Sequence, residues 1–217
     1  MKLSIFLTMG FFAMSLTTQF IFAADSSLRA TRPIRKAFTP KLGGVIVGGK
    51  DCLIETKDIT LKQISNGEYE IHFTKASNIV SGDQPTLISP ILAVDSGSGS
   101  INRSVCTIAI PVQFNKAASV QFKELFISGF QSLSLPEFAS FKGEVFFSGS
   151  RGESLDLNFV NFDSMIAYNF DLSRQSEIYV ESGSSQIIRF NFSMIMKSDD
   201  HSFTLLDHLG LRFLVKN

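Results

Sequence analysis

The chain has 217 residues, with 20 basic and 20 acidic side chains, 22 phenylalanines and no tryptophan. Balanced charge argues against an electrostatic grip on nucleic acid, and the low charged fraction of 18% argues against intrinsic disorder. The composition suits one Phe-packed β core, because Phe fits a half-buried pleated surface and brings no polar atom in need of a partner.

The first segment reads as a signal peptide over residues 1–23. Lys2 gives a minimal positive region, Leu3 to Leu16 are apolar, and Thr17, Thr18 and Gln19 form a polar step before Phe20-Ile21-Phe22-Ala23-Ala24. A cut after Ala23 or Ala24 suits the small-residue rule, although Ile21 or Phe22 is bulky at the third position back. The alternative is an uncleaved anchor, since about 20 apolar residues span a bilayer. No later stretch is long and apolar enough to span. Residues 24–42 carry Arg29, Arg32, Arg35, Lys36, Pro33 and Pro40 and read as a basic, extended arm.

From residue 43 to 217 the pattern is β. Glycines flank Val45-Ile46-Val47, then Ile59 and Leu61 alternate, with Ile64 following. Asn66-Gly67 stands between that run and Tyr69, Ile71 and Phe73, which predicts a hairpin because both turn residues tolerate positive φ. His72 falls on the polar face with Glu68 and Glu70, a solvated strand face. Residues 77–100, with Pro85, Pro90 and the Asp95-Ser96-Gly97-Ser98-Gly99-Ser100 run, read as loop. Alternation resumes at Cys106, Ile108, Ile110 and Val112. It continues through Val120, Phe122 and Phe126, then Val145 and Phe147, then Leu155, Leu157 and Phe159. Ile178 and Val180, the run from Ile188 to Met196, and Leu209 to Val215 complete roughly nine or ten strands. Regularly spaced short strands without an amphipathic helix predict a single antiparallel β-sandwich, immunoglobulin-like or jelly-roll-like. Cys52 and Cys106 are the two cysteines. In an exported chain they read as one disulfide.

Chemistry-bearing residues are sparse. Asp199, Asp200 and His201, with Asp207 and His208 nearby, are the densest group of possible metal ligands, yet they match no recognised zinc spacing. Asp95 stands alone among serines and glycines, too few oxygens for calcium. Ser148 lacks the Gly-x-Ser-x-Gly elbow of a nucleophile. Glu144, Glu153 and Asp156 cluster in sequence, but nothing singles out a glycosidase pair. Without tryptophan, Tyr69, Tyr168 or Tyr179 are the residues left to stack a sugar ring. Asn102-Arg103-Ser104 and Asn191-Phe192-Ser193 fit the glycosylation acceptor pattern, which matters only in a eukaryotic host.

The stretch Asn102-Arg103-Ser104-Val105-Cys106-Thr107-Ile108-Ala109-Ile110-Pro111-Val112 resembles a block of a secreted family, domain of unknown function 4360. Phe126-Ile127-Ser128-Gly129-Phe130, Phe146-Phe147-Ser148-Gly149 and Gly48-Gly49-Lys50-Asp51-Cys52 are similar to further elements of it, over roughly residues 43 to 215. Leu53 stands where relatives often carry proline, and their later cysteine pair is absent. The resemblance implies a secreted β-rich domain with its first disulfide and implies no activity. The expectation is an exported, secreted or periplasmic, non-enzymatic binding or structural domain without a cofactor, facing a cell-envelope or host-surface ligand. The alternative is a secreted hydrolase acting on an envelope or host polymer through a carboxylate pair drawn from distant strands.

Overall fold

A computed structural model describes residues 39–49, 51–74, 90–95, 100–133, 138–159, 164–175, 177–198 and 202–216. The segment read as a signal peptide and most of the arm lie outside these residues, as does the Ser/Gly stretch 96–99. Among the described residues no helix is long and apolar enough to cross a membrane.

Thirteen strands form among the described residues, more than the nine or ten expected. They are β1 (Lys41–Leu42), β2 (Ile46–Gly48), β3 (Ile59–Ser65), β4 (Glu68–Thr74), β5 (Leu92–Asp95), β6 (Ser100–Gln113) and β7 (Ala118–Ser132). There follow β8 (Phe138–Phe147), β9 (Glu153–Phe159), β10 (Ser164–Asp171), β11 (Ile178–Val180), β12 (Ser185–Ser198) and β13 (Phe203–Lys216). Two readings are corrected. Lys41 and Leu42, counted in the arm, pair with Gln113 and Val112, so the sheet begins before residue 43. Residues 92–95, read as loop, form β5 against β13, because Leu92 and Val94 are buried and act as core.

The strands make an antiparallel sandwich. One sheet runs β1-β6-β12-β8-β9, with β2 also on β6. The other runs β10-β7-β13-β4-β3, with β11 on β7 and β5 on β13. Between them the inner faces interlock through aromatic rings. Phe73 meets Phe190 edge-on at 4.9 Å, and Phe122 stacks on Phe147 at 4.1 Å. Both contacts join residues of opposite sheets, as a face-to-face sandwich requires.

The Asn66-Gly67 hairpin joins β3 to β4 as expected, with Gly67 at φ 80°. Cys52 and Cys106 form a disulfide. Cys106 is a fully buried residue of β6, while Cys52 bridges Leu92 of β5. The bond therefore ties one sheet to the other.

Two bulges decide which side chains leave the core. On β7, Arg212 pairs with Glu124 and Phe213 with Phe122, so Lys123 is an extra residue. On β13, Leu206 pairs with Gly129 and His208 with Ser128, so Asp207 is extra. Each extra residue inverts the alternation beyond it. Phe126, read on one face with Val120 and Phe122, consequently points outward. His208 and Gly210 do so too.

Candidate functional site

The second sheet is polar and hollow on its outer face. Register places Thr60, His72, Gly210, Phe126 and Asn169 side by side across β3, β4, β13, β7 and β10. The next row holds Lys62, Glu70, Arg212, Glu124 and Asp171. On the other side lie Thr74, His208, Ser128 and Ala167. Gly210 is the residue without a side chain at the centre, and the neighbours rise around it. The result is an open groove of about 510 Å³ walled by Glu70, His72, Glu124, Phe126, Asn169, His208 and Arg212. A methyl group on Gly210 would lie 3.1 Å from Glu70 Oε1 and 3.8 Å from His208 Nε2.

A charge clamp forms the floor. Arg212 donates from Nε to Glu70 Oε2 at 2.6 Å and pairs through Nη1 with Glu124 Oε1 at 2.6 Å. Glu70 is 6% exposed, so a free carboxylate there would be costly and the guanidinium compensates it. The hydrogen bond to Glu70 and the charge of Glu124 raise the Arg212 guanidinium above its ordinary value, against the opposing effect of burial. Glu70 Oε1 in turn accepts from His72 Nε2. The solvated face expected around His72 is therefore partly closed: a carboxylate engaged by both an imidazole and a guanidinium sinks into the sheet.

Two imidazoles stand over the hollow. Their ring centroids are 5.3 Å apart, and His208 also lies 5.5 Å from the Phe126 ring. Burial pulls the His72 imidazole below its ordinary range, outweighing the attraction of Glu70, and the charges of Lys62 and His208 act in the same downward direction. His72 is accordingly a neutral donor at neutral pH. His208 Nδ1 shares a hydrogen bond with Thr74 Oγ1 at 3.4 Å.

The residues marked from sequence fall elsewhere or only partly here. Asp199, Asp200 and His201 lie outside the described residues. His208 reaches the groove, whereas Asp207, in the bulge, accepts a hydrogen bond from Ser128 Oγ at 3.1 Å. Among the described residues no three His, Cys, Asp or Glu side chains are grouped to hold a metal ion. Glu144, Glu153 and Asp156 sit on the β8–β9 hairpin of the other sheet. Asp156 there accepts from Ser154 at 3.0 Å and lies 3.9 Å from Lys142. Ser148 follows β8 in a turn before Gly149, at φ 91°, with no helix after it. Tyr69 is buried against Phe213 and cannot stack a ligand, while Tyr168 and Tyr179 are exposed outside the groove. Ser104 and Ser193 of the glycosylation patterns are buried in paired strands.

Phe126 was missed as a site residue because strict alternation hides it, while Gly210 and Arg212 fell on an outward face that looked like ordinary solvated surface. The signal was a change of spacing. Apolar core positions run two apart at Val120 and Phe122, then three apart to Leu125. Leu206 and Leu209 repeat that slip.

No family model matches the chain, and no curated protein matches it. Among solved structures it is similar to the carbohydrate-binding module TmCBM61 in complex with β-1,4-galactotriose, at TM-score 0.30 and 8% identity. That match covers 77% of this chain and 86% of that one. It is similar also to the family 11 carbohydrate-binding module from Clostridium thermocellum in complex with a β-1,3-1,4-mixed-linked tetrasaccharide, at TM-score 0.22 and 11% identity over 81% and 88% of the two chains. A third likeness is to the enzymatically active domain of bacteriophage CBA120 tailspike protein 4, at TM-score 0.24 and 8% identity, over 81% of this chain and 19% of that one. All three likenesses are distant.

Proposed function

We propose that this chain is an exported, non-enzymatic binding domain that takes a neutral saccharide unit in the groove over Gly210. The observation that carries the reading is the hollow itself, where an aromatic ring stands beside closely set polar groups. A sugar ring has an apolar C–H face and a polar rim. Phe126 offers a surface for the first, while Glu124, Asn169, His72 and Arg212 supply donors and acceptors for the second. The groove is open, which suits a chain end or a single unit of a cell-envelope or host-surface polymer. Export, to the periplasm or the medium, rests on the N-terminal pattern and on the disulfide, since such bonds persist in oxidising compartments. Membership of the domain of unknown function 4360 family belongs to the same reading, on the residues around Cys52 and Cys106.

The hydrolase alternative has one observation in its favour: the groove holds two acids on separate strands, Glu70 and Glu124. Both are engaged by the same guanidinium. Glycoside cleavage needs one of its two carboxyl groups free to deliver a proton to the leaving group, and here Arg212 contacts both carboxylates. The geometry therefore supports binding over cleavage. Calorimetric titration with neutral oligosaccharides prepared from envelope polymers separates the two. Binding without release of reducing ends, weakened at least about tenfold by Phe126→Ala, is the expected result. Release of reducing ends that Glu124→Gln abolishes would install the hydrolase instead.

A further inference from the structure

The groove carries a pair of histidines whose arrangement fits more than ligand contact. His72 and His208 face each other from adjacent strands at 5.3 Å, and among the described residues one carboxylate, Glu70, touches the pair, on the His72 side. His72 has 19% of its side chain exposed. Among the described residues, the charged groups facing the pair across the sheet come from five strands. Lys62 comes from β3, Glu70 from β4, Glu124 from β7, Asp171 from β10, and Asp207 and Arg212 from β13. Glu70 and Glu124 are already tied to Arg212, Asp207 to Ser128, and Asp171 to the backbone of Ser173. One positive charge on the pair therefore has a partner in Glu70. One on His208 has no carboxylate of its own among the described residues, and it lies close to His72.

We propose that the His72–His208 pair is a proton-operated gate on this groove, walling the ligand when at most one ring is charged and giving way when both are. This deepens the binding reading by giving the same site a regulation. His208 is the ring that moves, because among the described residues its polar hold is the 3.4 Å hydrogen bond to Thr74 and its ring contacts are with His72 and Phe126. His72 stays, held by Glu70. When His208 turns to solvent, the groove loses a wall next to Phe126 and ligand affinity falls. The relevant window is the acid side of neutrality, from about pH 7 to about pH 5, where imidazoles change charge.

The test uses the full chain and needs no ligand for its first arm. Imidazole nitrogens and backbone amides are followed by NMR between about pH 8 and about pH 5. His208→Gln is expected to raise the His72 titration midpoint by about half a pH unit or more, the effect of removing a unit charge some 5 Å away even in a water-like medium. The amides of Phe126, Asn169 and Gly210 are expected to shift with the second protonation in the unaltered chain and to lose that phase in the variant. An unchanged His72 midpoint in a variant that folds, or groove amides indifferent to the second proton, overturns the gate. The second arm measures affinity for the neutral oligosaccharides at the two ends of the window. A fall of about tenfold or more on acidification supports the gate, and an affinity independent of pH overturns it. If none of the oligosaccharides binds at neutral pH, the saccharide reading falls while the imidazole result still decides whether the pair moves.

Discussion

At the scale of single residues, Glu70 is the organising group of the groove, because a buried carboxylate dictates what must surround it. Arg212 and His72 supply that surrounding. Arg212→Met removes the cation and leaves Glu70 buried beside one neutral imidazole. The expected loss is about 2 kcal/mol, below the full figure for a broken buried pair because the guanidinium is 43% exposed. Adding Glu70→Gln should recover part of it, and chemical denaturation of both variants measures the difference. His72 makes a second, pH-dependent contribution. Its folded-state pKa lies below the unfolded value, chiefly through burial. Above the unfolded midpoint both states are neutral and nothing is contributed. As pH falls through that midpoint the unfolded chain takes up the proton first, so stability declines until the folded midpoint is passed. Melting curves from about pH 7.5 to about pH 5.5 should show this decline, and His72→Gln should flatten it.

At the scale of strands, the site is a product of the two bulges, and glycines near them make a sharp comparison. Gly129 lies at the β13 bulge, and a Cβ there would run into the backbone carbonyl of Leu205. Backbone cannot give way as a side chain can, so Gly129→Ala should destabilise by more than about 2 kcal/mol. Gly210→Ala meets Glu70 Oε1 at 3.1 Å, a side-chain oxygen held by His72 that need give by only a few tenths of an ångström. It should cost less than about 1 kcal/mol while filling the hollow and weakening ligand binding. Thermal melts of the two variants side by side check the contrast. The same bulges explain what was legible in the sequence. Alternation from Ile188 to Met196 and from Tyr69 to Phe73 gave the sandwich and one hairpin, since period-two apolar residues have no other way to share a core. The groove was hidden because a strand is read one residue at a time, while register is set by its neighbours. Phe126 has the parity of Val120 and Phe122, and only the extra Lys123 turns it outward. Strand β5 was hidden by the glycines and prolines around it, although Leu92 and Val94 carried its burial.

At the scale of the whole molecule, the two sheets are joined by packing over a broad face and by one covalent link. Packing alone is strong here, for the core between the sheets is continuous and lined with phenylalanine from both sides. The disulfide acts mainly elsewhere, on the unfolded chain. It joins positions 54 residues apart, and closing a loop of that length removes unfolded-state entropy amounting to about 4 kcal/mol in the chain-entropy model. Because Cys52 and Leu92 form a bridge, Cys106 is fully buried and Cys52 is half-buried, the bond is partly shielded in the folded state. Reductant should therefore act slowly on the native protein and quickly once denaturant exposes the sulfurs. Cys52→Ala with Cys106→Ala should lower the denaturation midpoint by the equivalent of that loss while leaving the strand signature of the far-ultraviolet spectrum in place. Non-reducing mass spectrometry should find the Cys52–Cys106 crosslink in untreated protein. A double variant as stable as the parent would mean that the sheets hold themselves together without the bond. The continuous core then becomes the whole account of why this chain folds.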